Sequence, residues 1–381
     1  MKIIICTTEY PPTHSSGIGN VVYNVVKNLK KKGIDCTVCS PVNGDIHLGS
    51  VWLTNKFGVI GLMYYWHCVS KYFRNNDFDA AWLQNPFFIR GSPFRNNIVT
   101  MHSTIYGMSY YKVNKSLFMN IYKYIESKIE KFCLTRMNKN TQFTGVGSNV
   151  CEELEKIGIS RERIIYILNG VNTRQFHPSP DKKLLRGKFG IPEDDIVLLS
   201  VGRLTPQKQP LTMIEVFSHL ENKLENVTLC IAGRGEILEA TKDLAWKIGL
   251  RKVLFPGYVD DQDLPDLYAC ADYYIMTSKY EGGQPPLTLA EAMASGLPCI
   301  VSDIPNLGIV NQADCGITIN FRDAEEAASK TLSYINSEHR DHSDNARRFA
   351  ENVFDWRLIA TEYQDELVRV CNESNIDYGH E

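Results

Sequence analysis

Two carboxylates bracket a loop rich in glycine and proline in the last third of the chain. Glu281 precedes the loop at 282–286, and Glu291 lies in the helical pattern that begins at Leu287 and ends at Gly296. An apolar run before Glu281 predicts a buried strand. The loop therefore lies over a helix N-terminus, where free amides and the helix dipole favour an anion. Carboxylates beside an anion site are suited to binding hydroxyls. Phosphate together with hydroxyls suggests a nucleotide sugar.

Two cations follow the strand predicted at 196–201. Arg203 and Lys208 lie in the loop Gly-Arg-Leu-Thr-Pro-Gln-Lys. Guanidinium offers a planar fork to two phosphate oxygens, and ammonium is a movable point charge. A cation about 4 Å from a leaving phosphate is worth on the order of 4 kcal/mol at an effective dielectric of 20. Such a pair would lower the barrier to leaving-group departure. The alternative is a pair of solvated surface cations.

The stretch 278–298 resembles the acidic signature of retaining glycosyltransferases of family 4, which have the GT-B fold. The part from Pro286 onwards matches closely. The two acids of the signature are normally eight positions apart, and here they are ten apart (291 − 281). We interpret the difference as an insertion of two residues, with Glu281 keeping the acidic role. Gly283 occupies the position that the family spacing gives to the first acid.

The resemblance implies roles for individual residues. Arg203 and Lys208 match the family's Gly-Arg-x-x-x-x-Lys loop, which holds the nucleotide diphosphate. His102, at the end of a predicted strand, matches a histidine that contacts the donor sugar. Glu281 and the glycine loop would hold the sugar, and Glu291 the ribose hydroxyls. The catalytic candidates are His102, Arg203, Lys208 and Glu281. The donor-binding candidates are Gly17, Gly19, Gly235, Tyr258, Val259, Gly282, Gly283, Gln284, Pro286, Leu287 and Glu291.

Three of the loops that contain these candidates match the family's sequence pattern less closely. The loop with Gly17 and Gly19 follows the first strand and resembles a family loop near the donor phosphates. We expect the first helix to begin at Gly19. Gly235 belongs to a Gly-x-Gly turn, and Tyr258 and Val259 match a segment whose backbone reads the nucleotide base.

Apolar runs alternate with helical patterns along the chain, which predicts the α/β class with parallel sheets. The strands are predicted at 2–7, 34–40, 80–84, 97–102, 142–147, 164–168, 196–201, 227–232, 253–256, 273–276, 299–302 and 317–320, and helices at 19–32, 59–74 and 115–137. A chain of 381 residues fits two domains. The expected fold is two Rossmann-like doubly wound domains facing a cleft, the GT-B fold.

Domain limits follow from a polar, proline-containing stretch at 169–181. We expect an acceptor-side domain at 1–175 and a donor-binding domain at 176–356. A C-terminal helix at about 357–381 is expected to pack back on the first domain. Ligands of such sheets bind beyond the carboxyl ends of the strands.

Composition argues against several classes of protein. The net charge of −3 makes a nucleic-acid partner unlikely on electrostatic grounds. Eleven cysteines lack a disulfide spacing, and Cys36 and Cys39 would point to opposite faces of one strand. Reduced core thiols indicate the cytoplasm. Residues 1–7 fit a strand rather than a signal peptide, and no run of 18 apolar residues occurs.

We expect neither a metal nor a cofactor, because the histidines show no metal-ligand pairing. His339 and His342 are three apart in a polar region and are interpreted as solvated. No Asp-x-Asp triad lies in the two loops assigned to the cleft. The fixed cations would stabilise the diphosphate in place of a metal ion.

Aromatic and basic residues are interleaved at 57–74 and 112–139. The second segment holds seven Lys or Arg and two Glu. Two amphipathic helices with core aromatics would explain the pattern. The alternative is a surface that touches anionic lipid headgroups, as a peripheral protein would at the inner face of a membrane.

The predicted function is that of a cytoplasmic, metal-independent, retaining hexosyltransferase. It would move a hexosyl unit from a UDP- or GDP-sugar to a hydroxyl of a carbohydrate or a lipid-linked acceptor. One alternative is a nucleotide-sugar epimerase or hydrolase of the same fold. The other is a non-catalytic nucleotide-sugar-binding protein, which would be expected to have lost Arg203, Lys208 or Glu291. The donor base, the sugar, the acceptor and the oligomeric state stay open.

Overall fold

A computed structural model of the chain describes residues 1–11, 17–110, 117–339 and 341–376. It divides into two compact units. One comprises Met1–Asn169 with Trp356–Glu381, and the other Gly170–Asp355. The boundary near 170 lies a few residues before the predicted one, and residues from Trp356 onward belong to the first unit. Each unit contains one sheet whose paired strands are parallel.

The strands of the first unit are β1 (Lys2–Cys6), β2 (Asp35–Ser40), β3 (Ile46–His47), β4 (Ala80–Gln84), β5 (Asn97–Met101), β6 (Gln142–Gly145) and β7 (Ile164–Tyr166). Its helices are α1 (Gly17–Lys31), α2 (Val51–Phe57), α3 (Val59–Tyr72), α4 (Ile105–Tyr110), α5 (Leu117–Leu134) and α6 (Ser148–Ile157), together with the C-terminal α15 (Trp356–Ile376).

The strands of the second unit are β8 (Ile196–Val201), β9 (Val227–Ala232), β10 (Val253–Gly257), β11 (Tyr273–Met276), β12 (Cys299–Ser302) and β13 (Gly316–Ile319). Its helices are α7 (Lys182–Phe189), α8 (Pro210–Glu221), α9 (Leu238–Lys247), α10 (Leu264–Ala269), α11 (Leu287–Ala294), α12 (Ile309–Gln312), α13 (Ala324–Ile335) and α14 (His342–Phe349).

The first sheet has the order β3-β2-β1-β4-β5-β6-β7. Its central strands are apolar on both faces because helices cover both sides of a parallel sheet. Ile3, Ile4 and Ile5 of β1, for example, are fully buried. Helix α15 packs against α1, β4 and β5 of this unit. The ring of Tyr363 in α15 lies 4.6 Å from the ring of Trp82 in β4, centroid to centroid.

The second sheet has the order β10-β9-β8-β11-β12-β13. From β8 the chain moves outward through β9 and β10, and then returns to β11 on the other side of β8. Strands β8 and β11 therefore meet where the strand order reverses. The loops that follow them leave the carboxyl edge side by side, which is where doubly wound sheets bind ligands.

Each of the twelve predicted strands is present; five have the predicted ends, and the ends of the other seven differ by one or two residues. The prediction missed β3, which has only two residues at the edge of the sheet. Cys36 and Cys39 both lie in β2 as buried, free thiols. Helix α1 begins at Gly17, so the prediction that it begins at Gly19 was wrong. Within the described residues, none of the helices combines the length and apolar character that crossing a bilayer requires.

The interpretation of His339 and His342 as solvated was wrong. The His339 ring stacks on the Tyr334 ring at 4.3 Å, and its Nε2 lies 3.1 Å from the Tyr273 hydroxyl. His342 Nδ1 lies 2.7 Å from the Tyr334 hydroxyl. The pair belongs to an aromatic cluster on the second unit.

Candidate donor-binding site

The loop at 202–208 is built on the carboxyl end of β8 by close backbone packing. Gly202 N donates to Ala232 O, and Leu204 N donates to Arg234 O, each at 3.0 Å. A side chain at Gly233 would overlap the Gly202 carbonyl oxygen, and one at Gly235 would overlap the Leu204 carbonyl oxygen. The Gly-x-Gly turn after β9 therefore packs directly against the loop at 202–208, which we call the cationic loop, and fixes its position.

The same loop is fastened to the segment that follows β11. Thr277 Oγ1 donates to the carbonyl oxygens of Lys208 (3.0 Å) and Gln209 (3.1 Å). Gln207 Nε2 donates to the Tyr280 carbonyl at 2.8 Å, and Lys279 N donates to the Gln207 carbonyl at 2.9 Å. These bonds join the two loops of the reversal point into one structure.

The structure brings Lys208 and Glu281 together. Lys208 Nζ lies 2.6 Å from Glu281 Oε1, and the side chains are 26% and 7% exposed. Asn306 Nδ2 donates to the carbonyl oxygens of Glu281 (2.6 Å) and Gly282 (3.2 Å). Asn306 lies in a short turn after β12, and sequence reasoning missed it because no motif marks that turn. Arg203 is exposed and lines a small pocket with Lys208.

Glu291 lies on α11 with one polar partner that the sequence did not reveal. The Tyr268 hydroxyl donates to Glu291 Oε2 at 2.9 Å, and it also lies 3.1 Å from the Thr288 carbonyl. Burial raises the pKa of Glu291 to about 8, although the bond from Tyr268 opposes the rise, and Asp261 adds to it. At neutral pH the carboxylic acid form of Glu291 therefore predominates. Hydroxyl donors from a ligand would favour the carboxylate.

The N-terminus of α11 faces the glycine loop without a side-chain cap. Pro286 is the capping residue, and Leu287 begins the helix. Gly282, Gly283 and Gln284 are partly exposed. The first-turn amides are not satisfied within a helix, and the dipole is positive at this end. This end of α11 is suited to an anion.

The candidates for base recognition lie on neighbouring loops of the same sheet edge. Gly257 closes β10, and its carbonyl accepts from Gly233 N at 2.6 Å. The Tyr258 ring is exposed, and the Arg234 guanidinium lies 5.4 Å from its centroid. Val259 is partly buried and Gly235 is exposed. The backbone of these loops is accessible beside the cationic loop.

The remaining candidates belong to the first unit. His102 follows β5, with Nε2 2.8 Å from Gln84 Oε1 and its amide donating to Asn85 Oδ1 at 3.0 Å. Burial lowers the pKa of His102 to about 4, so the ring is neutral at pH 7. Gly17 begins α1, and Gly19 is buried in its first turn. The roles of these three residues stay predictions.

Two family models match the chain. The model of glycosyl transferases group 1 matches residues 181–356, and the model of glycosyltransferase family 4 matches residues 15–175. The chain belongs to this family of glycosyltransferases. Each unit is matched by one of the two models, and the group 1 match contains Arg203, Lys208, Glu281 and Glu291.

Sequence similarity to curated relatives covers only part of each protein. Mannosylfructose-phosphate synthase of Agrobacterium fabrum is 36% identical over 160 residues, which is 39% of this chain and 34% of that protein. UDP-Gal:alpha-D-GlcNAc-diphosphoundecaprenol alpha-1,3-galactosyltransferase of Escherichia coli is 29% identical over 229 residues, 58% of this chain and 56% of that one. The chain thus spans about a third to a little over half of the length of these two relatives.

Similarity to solved structures extends over almost the whole glycosyltransferase. WaaG, a glycosyltransferase involved in lipopolysaccharide biosynthesis, matches with a TM-score of 0.78 and 18% identity, over 96% of this chain and 99% of that one. At this identity the likeness concerns the fold alone. It confirms the predicted two-domain α/β fold of the GT-B type.

Proposed function

We propose that the protein transfers a hexosyl unit from a nucleoside diphosphate sugar to an acceptor hydroxyl, with retention of the anomeric configuration. The observation that carries the proposal is the meeting of Lys208 and Glu281 at the reversal point of the second sheet, 2.6 Å apart. Arg203 and the uncapped end of α11 extend this site with a further cation and free amides.

Charge on the leaving group explains the cations. When the bond between the sugar and the diphosphate breaks, the electron pair moves to a phosphate oxygen. Once the diphosphate is bound, Lys208, Arg203 and the amides at Leu287 would be donors already in place to stabilise this charge. We therefore propose a metal-independent reaction, in which protein cations neutralise the diphosphate.

Glu281 would act on the donor sugar. Lys208 neutralises its carboxylate in the structure. A diphosphate that shares Lys208 would draw the ammonium away and leave a Glu281 oxygen to accept from sugar hydroxyls. The two residues would thus exchange partners when the donor binds.

Glu291 and the base loops would hold the nucleoside. A carboxylate accepts from two vicinal hydroxyls, which fits ribose, and Tyr268 fixes one Glu291 oxygen in place. The backbone near Tyr258 and Val259 would read the base. UDP- and GDP-sugars are the proposed donors, and the printed name of the Escherichia coli relative includes UDP-Gal.

The acceptor is proposed to be a hydroxyl of a carbohydrate, including one carried on a lipid. The name of the same relative includes a sugar linked to diphosphoundecaprenol, which supports a lipid-linked acceptor. A cytoplasmic location, with peripheral contact at the inner membrane face, would place the enzyme beside both substrates.

A thermal-shift screen of UDP-, GDP- and ADP-sugars tests donor binding. We expect one base to raise the melting temperature selectively, because a ligand that binds only the folded state stabilises it. Product analysis with that donor alone then separates the alternatives. Rapid conversion to an epimer or to free sugar would indicate an epimerase or hydrolase. Binding without turnover in the presence of acceptors would indicate a binding protein.

A further inference from the structure

Helix α5 exposes apolar side chains and buries its acids. Phe118, Ile121 and Ile125 are 76%, 53% and 54% exposed, whereas Glu126 and Glu130 are 3% and 2% exposed. Phe118, Ile121 and Ile125 follow the three- and four-residue spacing of one helix face. An amphipathic helix of a soluble protein normally turns such a stripe toward the core. Here the stripe faces outward.

Helices α2 and α3 extend this exposed apolar surface. Trp52, Phe57 and Ile60 are exposed. A β-carbon at Gly58, between the two helices, would lie 3.3 Å from the Tyr122 hydroxyl of α5, so the α2–α3 junction touches α5. We call the surface formed by Trp52, Phe57, Ile60, Phe118, Ile121 and Ile125 the apolar face. Tyr65, Trp66 and Phe73 are buried in the core of the same unit. Core packing therefore explains only some of the aromatic residues at 57–74.

The charges beside the apolar face are positive, and one of them, Lys123 of α5, is paired with Glu126 at 2.7 Å. Lys56 Nζ lies 4.7 Å from the centroid of the Trp52 ring, and Lys128 Nζ lies 4.6 Å from that of Tyr124. Helices α2 and α3 contain no acidic residue. No carboxylate in the part of the chain that the structure describes forms an ion pair with Lys56 or Lys128. Of the seven Lys or Arg at 112–139, Lys112 and Lys115 lie outside the described residues.

Helix α7 of the second unit differs, because its exposed cations are ion-paired. It also exposes an apolar residue, Leu184, beside several cations. There Lys183 pairs with Asp194 at 2.8 Å, and Lys188 pairs with Asp263 at 2.7 Å. The cations of α7 are neutralised by carboxylates of the same unit, whereas Lys56 and Lys128 have no such ion pair among the described residues.

We propose that the apolar face docks on an anionic lipid bilayer, with Phe118, Ile121 and Ile125 in the interface and Lys56 and Lys128 at the headgroups. Lysines attract anionic lipid, and aromatic and aliphatic side chains insert at the acyl boundary. A second copy of the chain fits poorly, because two such faces would bring like charges together. The proposal does not depend on glycosyl transfer.

Co-sedimentation with vesicles, without donor or acceptor, tests the proposal. The full chain is mixed with phosphatidylcholine vesicles and with vesicles containing phosphatidylglycerol, across a salt series. We expect binding to the anionic vesicles at low salt, and we expect it to fall as salt shortens the Debye length below about 8 Å. Vesicles of phosphatidylcholine alone should bind much less.

Variants then test whether the apolar face is responsible. Ile121→Glu combined with Ile125→Glu should lower binding at least tenfold, because it places carboxylates in the interface. Leu184→Glu, at a site on α7 that is 77% exposed, should leave binding unchanged. Lys56→Glu combined with Lys128→Glu tests the charges independently, and melting temperatures show that each variant is folded. The proposal is overturned if the wild-type chain does not bind anionic vesicles at low salt. It is also overturned if the folded Ile121→Glu/Ile125→Glu variant binds as the wild type does, or if Leu184→Glu weakens binding as much as that variant does.

Discussion

Lys208 Nζ lies 2.6 Å from Glu281 Oε1, although the two residues are 73 positions apart in the chain. They leave the adjacent strands β8 and β11 at the point where the strand order reverses. The cation proposed to bind the diphosphate and the carboxylate proposed to bind the sugar therefore form one ion pair. A donor diphosphate would compete with Glu281 for Lys208.

Lys208→Ala is expected to lower the turnover number at saturating donor about 100-fold, the range typical for loss of one transition-state donor. Donor affinity should fall much less, since Lys208 acts most strongly on charge that develops as the leaving group departs. Steady-state kinetics and calorimetric titration measure the two effects. Lys223→Ala, at an exposed position, is the control. A collapse of affinity with unchanged turnover would limit Lys208 to binding.

Glu281→Gln keeps the shape of the side chain and removes its charge. We expect the free energy of unfolding to fall by about 1–2 kcal/mol, because Lys208 loses its counter-ion but still reaches water. Binding of a nucleoside diphosphate should become tighter, since the carboxylate no longer competes for Lys208. Urea denaturation and calorimetry test both effects. Weaker diphosphate binding in this variant would contradict the exchange of partners.

Glu291 should make nucleotide affinity dependent on pH. Burial raises the pKa of Glu291 to about 8, and ribose hydroxyls donate to the carboxylate. The deprotonated form therefore binds more tightly, and affinity should rise as pH increases from 7 to 9. Glu291→Gln should flatten that dependence, and Glu291→Ala should lose about 1.5–3 kcal/mol of binding. Unchanged affinity in Glu291→Ala would remove the residue from the site.

The same raised pKa predicts an effect on stability. Between about pH 4.5 and 8 the folded protein holds a proton on Glu291 that the unfolded chain has released. The folded state binds more protons, so this residue lowers stability as pH rises through that window. The difference in unfolding free energy between the wild type and Glu291→Gln should therefore shift against the wild type from pH 5 to pH 8. A constant difference would contradict the raised pKa.

Gly235→Ala should disturb the cationic loop, because the new β-carbon would overlap the Leu204 carbonyl oxygen. We expect a lower melting temperature and weaker donor binding. Gly187→Ala is a matched control, since its β-carbon meets nothing within 4 Å and Gly187 lies inside α7. Alanine favours a helix interior, so the control should keep or raise stability. Equal behaviour of the two variants would show that the close packing is unimportant.

His102 should remain neutral across the physiological range. Burial lowers the pKa of His102 to about 4, below the value of about 6.5 for an exposed histidine. NMR of the ring proton on Cε1 should show no titration between pH 5.5 and 8. A midpoint near 6.5 would contradict the burial that lowers the pKa of His102.

The sequence predicted elements well where local signals were strong. Apolar runs such as Val227–Ala232 located the strands because both faces of a parallel sheet are buried. Glycine and proline set the limits of α11, from Pro286 to the turn at Gly296. The two residues of β3 left no periodic signal.

Long-range partners could not be read from the sequence. Tyr268 and Asn306 reach Glu291 and Glu281 only after separate strands assemble, and neither belongs to a motif. The family resemblance predicted Lys208 and Glu281 as separate site residues. Their contact arises because β8 and β11 are neighbours in the sheet. The polar surroundings of His339 concealed its stacking on Tyr334, because ring contacts depend on tertiary packing.

The most direct measurement follows the donor by NMR with and without a mixture of glycan and lipid-linked acceptors. The proposed function predicts release of nucleoside diphosphate that depends on acceptor, a product with the anomeric configuration of the donor, and loss of both in Lys208→Ala. Conversion of the donor without acceptor, an inverted product, or full activity in the folded Lys208→Ala variant would contradict it.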